Sequence, residues 1–398
     1  MHIASRISNL GTETAFEVLA RAKALEAQGH SVVHLEIGEP DFDTPPNIIQ
    51  AAKHALDAGW THYGPSAGLP QLRQAIAEYF NRTRAITKYS AENVVVTPGA
   101  KPIIFFGLQA IIEPGDEVIY PNPGFPIYES VIRYLGAKPI SLPLKAEKNF
   151  RFDIADLEAR ITEKTRMVII NSPQNPTGGV LTYEDLEGIA ELAHRHNLIV
   201  FSDEIYSQIM YDGERHYSIT QFEGMEHRTI VLDGFSKTFA MTGWRLGYGI
   251  MPPDIAHVTA RLQTNCTSCA PSFTQIAGIE ALSDRTLPYV AQFVEEFQRR
   301  RDAIVQGLNE IPGIVCHKPK GAFYVFPEIT STGMRSQEFA SFMLEKVGVA
   351  CLSGTAFGTE GEGFVRFSYA TSLNNIQRAL DAMKHALDRE KIHQHMSR

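Results

Sequence analysis

Between residues 93 and 233, short apolar runs alternate with longer amphipathic stretches, and this rhythm restricts the fold more than any single residue does. Strand-like runs fall at 93–97, 117–120, 139–142, 166–171, 198–203 and 229–233. Helical patterns at 101–112, 125–135, 153–161 and 182–196 separate most of them. Such alternation over about 140 residues predicts a mostly parallel sheet with helices on both faces, an α/β fold. Ahead of it lie helical patterns at 13–29, 45–58 and 69–84 and a short apolar strand, Val32–Ile37. After it come a long charged helix over 287–309, a helix near 336–347, a strand at 364–369 and a C-terminal helix. These last elements predict a smaller α+β unit.

Composition narrows the function classes. The 398 residues are 21% charged and 44% hydrophobic, as in an ordinary globular enzyme. A net charge of −8 without any basic block argues against nucleic acid as a partner. No apolar run approaches the 18 residues of a membrane span, and the N-terminus lacks a secretory core, so the chain is expected in the cytoplasm. The four cysteines fit a reducing compartment. Cys266 and Cys269 form a Cys-x-x-Cys, but a structural zinc site needs a second ligand pair, and Cys316 and Cys351 stand apart. No metal is expected.

In open α/β sheets ligands bind beyond the carboxyl ends of the strands, so the polar residues there belong together. Strand 93–97 runs into Thr97-Pro98-Gly99-Ala100-Lys101-Pro102, where a helix start aims free amides at an anion. Strand 166–171 runs into Asn171-Ser172-Pro173-Gln174-Asn175-Pro176-Thr177-Gly178, which fixes the backbone around Asn175. Asp203 ends the apolar strand 198–203 and needs a cationic or donor partner there. Lys237 follows the buried strand at 229–233. Burial lowers a lysine's pKa and turns its amine into a nucleophile. A phosphate loop of the nucleotide-binding kind is excluded, because its two glycine positions hold Ser236 and Val231.

Asn-Pro-Thr-Gly (175–178), Ser-Asp-Glu-Ile-Tyr (202–206) and Ser-Lys-Thr-Phe-Ala-Met-Thr-Gly-Trp-Arg (236–245) resemble, in order and spacing, the class I/II aminotransferases. These are pyridoxal-phosphate enzymes of fold type I. The resemblance runs from Gly38-Glu39-Pro40-Asp41-Phe42 to Val365-Arg366-Phe367-Ser368, and it looks most like the aspartate aminotransferase branch typical of bacteria. It implies a large cofactor-binding domain over 46–286, a small C-terminal domain over 287–398, and an N-terminal segment, 1–45, packing with the small domain.

The resemblance also assigns roles. Lys237 would bond the cofactor and then act as the proton-moving base. Asp203 would hold the pyridine nitrogen protonated. Asn175 and Tyr206 would hydrogen-bond its phenolic oxygen, and Phe125 would stack on its ring. Arg245, Ser236 and the amides of Ala100 and Lys101 would hold the phosphate, joined by Tyr63 of a neighbouring subunit, so a homodimer with active sites at the subunit interface is expected. Arg366 would grip the substrate α-carboxylate with a fork, helped by the backbone at Gly38. Lys101 matches a lysine that can reach a second, side-chain carboxylate. Two departures stand out. Gly234 replaces a serine or alanine common in relatives, and Thr12-Glu13-Thr14-Ala15-Phe16 makes the lid more apolar than the branch's polar cluster. The implied reaction is amino transfer between an amino acid, aspartate or glutamate first, and a 2-oxo acid such as 2-oxoglutarate. Alanine, aromatic or other neutral donors, or β-elimination on cysteine conjugates, are the alternatives. A DNA-binding regulator is disfavoured, since the family-like region begins within about 15 residues of Met1.

Overall fold

The computed structural model describes residues 3–396, with side chains as far as residue 388. Its strands in chain order are β1 (Val33–His34), β2 (Val94–Thr97), β3 (Glu117–Asn122), β4 (Lys138–Pro143), β5 (Thr165–Asn171), β6 (Ile199–Asp203), β7 (Thr229–Gly234), β8 (Gly247–Ile250), β9 (Tyr324–Val325), β10 (Val349–Ala350), β11 (Leu352–Ser353) and β12 (Val365–Ser368). Seven of them form one sheet in the order β2-β8-β7-β6-β5-β3-β4. All pairings in it are parallel except those of β8, which runs against both β2 and β7. The register sets Asn171 opposite Asp203, and Asp203 opposite Leu232. The ends of β5, β6 and β7 therefore finish side by side.

The helices are α1 (Ala15–Ala27), α2 (Pro46–Asp57), α3 (Pro70–Arg84), α4 (Lys101–Ile111), α5 (Ile127–Tyr134), α6 (Ile154–Glu158), α7 (Tyr183–Arg195), α8 (Pro253–Thr267), α9 (Ser272–Ala281), α10 (Leu287–Asn309), α11 (Ser336–Phe342) and α12 (Leu373–Met396). Apolar clusters line both faces of the large sheet. Ile103, Ile104, Leu108, Phe201 and Ile230 meet in one of them, and Leu186, Ile189, Val168 and Val200 in another. The mostly parallel α/β sheet is as expected, while three elements within 247–281 were not. Glycines at 247 and 249 hide β8, because a strand gains little from residues without a side chain. In α9 the buried positions are small or polar (Ser272, Thr274, Gln275, Ala277, Gly278 and Ala281), which leaves little apolar periodicity to detect. The polar α8 buries only Ala256, Thr259 and Gln263.

Three extents differ from the pattern. The expected helix over 153–161 stops at Glu158, and the one over 336–347 changes at Met343 into a π-helical turn. The expected helix over 13–29 spans only Ala15–Ala27, which leaves Glu13 ahead of it. β1 pairs in parallel with β10, and β12 lies between β11 and β9 in a three-stranded antiparallel sheet that carries Arg366.

Behind the sheet ends sits a buried charge network. Arg84, at the last turn of α3, donates to Glu204 at 2.8 Å and to Asp233 at 3.1 Å. His216 reaches the same Glu204 oxygen at 3.0 Å, and Ser218 donates to the other carboxylate oxygen. Burial opposes the Glu204 charge, yet Arg84 and His216 outweigh it and hold the carboxyl down at about 2. Removing one partner of such a set typically costs roughly 3–5 kcal/mol, because the other charge stays buried and alone. The network ties together the ends of β6 and β7.

Candidate active site

The carboxyl ends of β5, β6 and β7, the start of α4 and the strand β12 enclose a cavity of about 540 Å³, within the usual range for a small-molecule site. Eleven of the twelve residues singled out from sequence line it or flank it: Gly38, Ala100, Lys101, Phe125, Asn175, Asp203, Tyr206, Ser236, Lys237, Arg245 and Arg366. The twelfth, Tyr63, does not. It is 91% exposed and belongs to a separate surface hollow with His62, Pro271 and Phe273.

Lys237 sits in the turn after β7, half-buried, and its Nζ donates to the carbonyl oxygen of Gly38 at 2.5 Å. Burial lowers its ammonium to about 8; Glu39 and Glu13 pull upward, while Arg366 and Arg245 push down. The neutral, nucleophilic amine thus gains population through pH 8 rather than near the ordinary lysine value of about 10.4. Reductive methylation with formaldehyde and cyanoborohydride, followed residue by residue, is expected to label Lys237 half-maximally near pH 8. A midpoint above pH 10 would refute the enclosed amine.

Asp203 is buried at the last position of β6. One carboxylate oxygen accepts from the Tyr128 hydroxyl at 2.6 Å and the other from the Ile205 amide at 3.2 Å. Burial lifts this carboxyl to about 6, against both hydrogen bonds and against Lys237. A cation placed beside it would restore full ionisation. Glu204, the next residue, turns away into the Arg84 network, as expected of neighbours along a strand.

Asn171 fixes the loop that follows β5. Its side chain donates to the Asp203 carbonyl at 3.0 Å and accepts from the Asn175 amide at 3.0 Å. Asn175 in turn accepts from Arg366 Nη1 at 2.9 Å. Arg366 is buried, with its guanidinium 4.5 Å from the centre of the Tyr324 ring and 4.9 Å from that of Phe357. Its Nη2 donates to the Glu36 carbonyl, and its Nε has no partner among the described residues. A buried cation with an unused donor is a site for an anion. Tyr206 meets the Tyr324 hydroxyl at 2.7 Å, and a Cβ on residue 38 would overlap that same hydroxyl, so only glycine fits there.

At the opposite side, α4 begins at Lys101 with Ala100 at its cap and Gly99 in the left-handed region at φ +83°. The Arg245 guanidinium covers Gly99 so closely that a Cβ would collide with it. Free amides at a helix N-terminus, an arginine and the Ser236 hydroxyl form an anion cradle. These residues fit a phosphate-bearing aldehyde such as pyridoxal phosphate: a cradle for the phosphate, an amine of lowered pKa, and a buried carboxylate for a ring nitrogen. Phe125 stands edge-on to Tyr128 at 5.7 Å and supplies an aromatic wall.

Three participants are not evident from sequence. The need of Asp203 for a donor was plain, but Tyr128 as that donor was not, since it comes from α5 across the sheet. Tyr324 lies in a short β9 whose apolar surroundings read as core. Glu13 pairs with the Lys101 ammonium, which also lies 5.7 Å from the centre of the Phe125 ring. The Lys101 side chain therefore has a protein partner at the cavity mouth. All four cysteines are free, Cys316 and Cys351 buried, and among the described residues no acidic, histidine or cysteine group is arranged to hold a metal. Nor is any described helix long and apolar enough to cross a membrane.

Residues 30–383 match the family model described as aminotransferase class I and II. The chain is 43% identical to an aspartate aminotransferase of Pyrococcus horikoshii, over 98% of both chains. It is also 43% identical to the aromatic-amino-acid aminotransferase 2 of Thermococcus litoralis, over 92% of this chain and 94% of that one. The crystal structure of aspartate aminotransferase from Thermus thermophilus with maleate superposes with a TM-score of 0.93 at 36% identity, covering 97% and 99% of the two chains.

Proposed function

Because this chain belongs to the class I and II aminotransferases, and so is an enzyme that transfers amino groups, we propose that it uses pyridoxal phosphate to exchange the amino group of aspartate or glutamate with a 2-oxo acid such as 2-oxoglutarate. One observation carries the reading. A single cavity gathers an amine of lowered pKa at Lys237, a buried carboxylate at Asp203, an anion cradle at Ala100 and Arg245, and a forked cation at Arg366.

Bound there, pyridoxal phosphate supplies an electron sink that makes the substrate Cα proton acidic. The protein's own groups do the rest. Arg366 binds the α-carboxylate through the donors that face the cavity, and Asn175 and the Glu36 carbonyl hold its plane fixed. Lys237 Nζ would serve as the base for the substrate Cα proton, a task suited to an amine whose pKa burial lowers to about 8. Asp203, oriented by Tyr128 and the Ile205 amide, stays anionic and holds a proton on the ring nitrogen. Tyr206 and Asn175 would hold the phenolic oxygen of the cofactor, and Ala100, Lys101, Ser236 and Arg245 would hold its phosphate.

The same reading takes the active unit as a homodimer. Tyr63, exposed and away from its own cavity, is then free to complete the neighbour's phosphate site. It also takes 46–286 as the cofactor-binding domain and 1–45 with 287–398 as the smaller one, in keeping with the β1–β10 pairing. The free thiols fit a cytoplasmic enzyme.

A second reading, an aromatic or neutral donor, is favoured by Phe16, Phe125 and Ile37 on the cavity wall and by the neutralised Lys101. A panel of donors against 2-oxoglutarate, with and without added pyridoxal phosphate, tests both. Cofactor-dependent formation of oxaloacetate and glutamate from aspartate and 2-oxoglutarate is expected. Turnover that persists after the cofactor is stripped, or none with any amino acid, would overturn the proposal, and pyruvate with ammonia from a cysteine conjugate would redirect it to elimination.

A further inference from the structure

The cavity mouth holds a feature that the chemistry at Lys237 does not use. Glu13 lies just ahead of α1, lines the cavity and pairs with the Lys101 ammonium. Lys101 opens α4 on the other wall, above the Phe125 ring. Four apolar residues, Ala15, Phe16, Ile37 and Phe125, line the same cavity as the pair, together with the acidic Glu39. Phe16 is 62% exposed and sits one turn further along the same segment. The pair thus joins the first turn of α4 to the residues just ahead of α1.

A substrate gripped by Arg366 at its α-carboxylate extends its side chain away from that buried end of the cavity. A side chain ending in a carboxylate seeks a cation there, and Lys101 is the ammonium on that wall. Glu13 already neutralises it. An apolar or aromatic side chain, by contrast, meets an intact pair beside Phe16 and Phe125 and leaves no charge uncompensated. The two classes therefore encounter the same wall in different states.

We propose that Glu13 is a specificity-determining residue: it occupies Lys101 for uncharged substrates and must be displaced by the second carboxylate of a dicarboxylic one. The inference rests on the amino-transfer reading above. Glu13 taxes dicarboxylates and leaves room for aromatic donors, so one site serves both partners of a two-substrate exchange. A partly exposed ion pair is worth at most about a factor of five in affinity, which is the size of the tax.

Glu13→Gln keeps the shape of the side chain and removes its charge. Two measurements read the result. In turnover, the ratio of kcat/KM for aspartate to that for phenylalanine is expected to rise about fivefold. In calorimetry, succinate, a dicarboxylate that cannot react, is expected to bind about fivefold more tightly. Both gains should vanish when the change is made in a Lys101→Met background. An unchanged ratio and unchanged succinate affinity would overturn the inference, as would gains that survive in that background. An enzyme without turnover whose succinate affinity still responds to Glu13→Gln would sink the amino-transfer reading and keep this one.

Discussion

Lys237→Ala is expected to lower turnover by at least about 10⁴-fold, because proton transfer at Cα loses its base and the cofactor its covalent anchor. The fold should survive. The side chain makes one hydrogen bond, to the Gly38 carbonyl, and relieving the burial of a charge offsets the loss. Circular dichroism should therefore match the wild type while steady-state assays with the best donor fall to background. A variant within tenfold of wild-type turnover would move the chemistry to another group. Lys101, the other lysine lining the cavity, is already engaged by Glu13 at its mouth.

The second large effect is expected at Arg366. It is buried, stacked between Tyr324 and Phe357, and held flat by Asn175 and the Glu36 carbonyl, with Nε left without a partner among the described residues. Arg366→Met keeps much of the packing and removes the fork. Losing one side of a buried charge pair with the substrate carboxylate costs about 2–5 kcal/mol, so kcat/KM should fall by about 10³-fold. The loss should be of similar size for aspartate, glutamate and phenylalanine, since all share the α-carboxylate. A fall confined to dicarboxylic donors would place this arginine at the side-chain end and reverse the direction in which the substrate lies in the cavity.

The alternation of β3 to β7 with their helices could be read from the chain because the apolar runs are bounded by turn residues and, apart from the edge strand β4, are largely buried. The strand ends pointed to Asp203, Asn175 and Lys237 and the resemblance to Arg366, and the four line one cavity. What escaped detection has two physical causes. Where packing relies on small residues, as in α9 and β8, the apolar pattern fades. Where a partner comes from a distant element, as Tyr128 does for Asp203, Tyr324 for Tyr206 and Arg84 for Glu204, the need is visible locally and its answer is not. Tyr63 illustrates a third limit: a single chain leaves its side chain in solvent, and its assigned role requires a second copy.

The Arg84 bridge divides the molecule into parts of unequal freedom. Glu204 directly follows the strand that bears the acid, and Asp233 lies in the strand that leads to the amine, so their shared guanidinium welds those two reactive groups to one plinth. Among the described residues, the Glu13 end of the cavity is tied to α4 by a partly exposed ion pair, and Phe16, in the first turn of α1, is exposed. Variation can accordingly retune which side chains are welcomed by editing that edge, while the machinery beneath keeps its alignment.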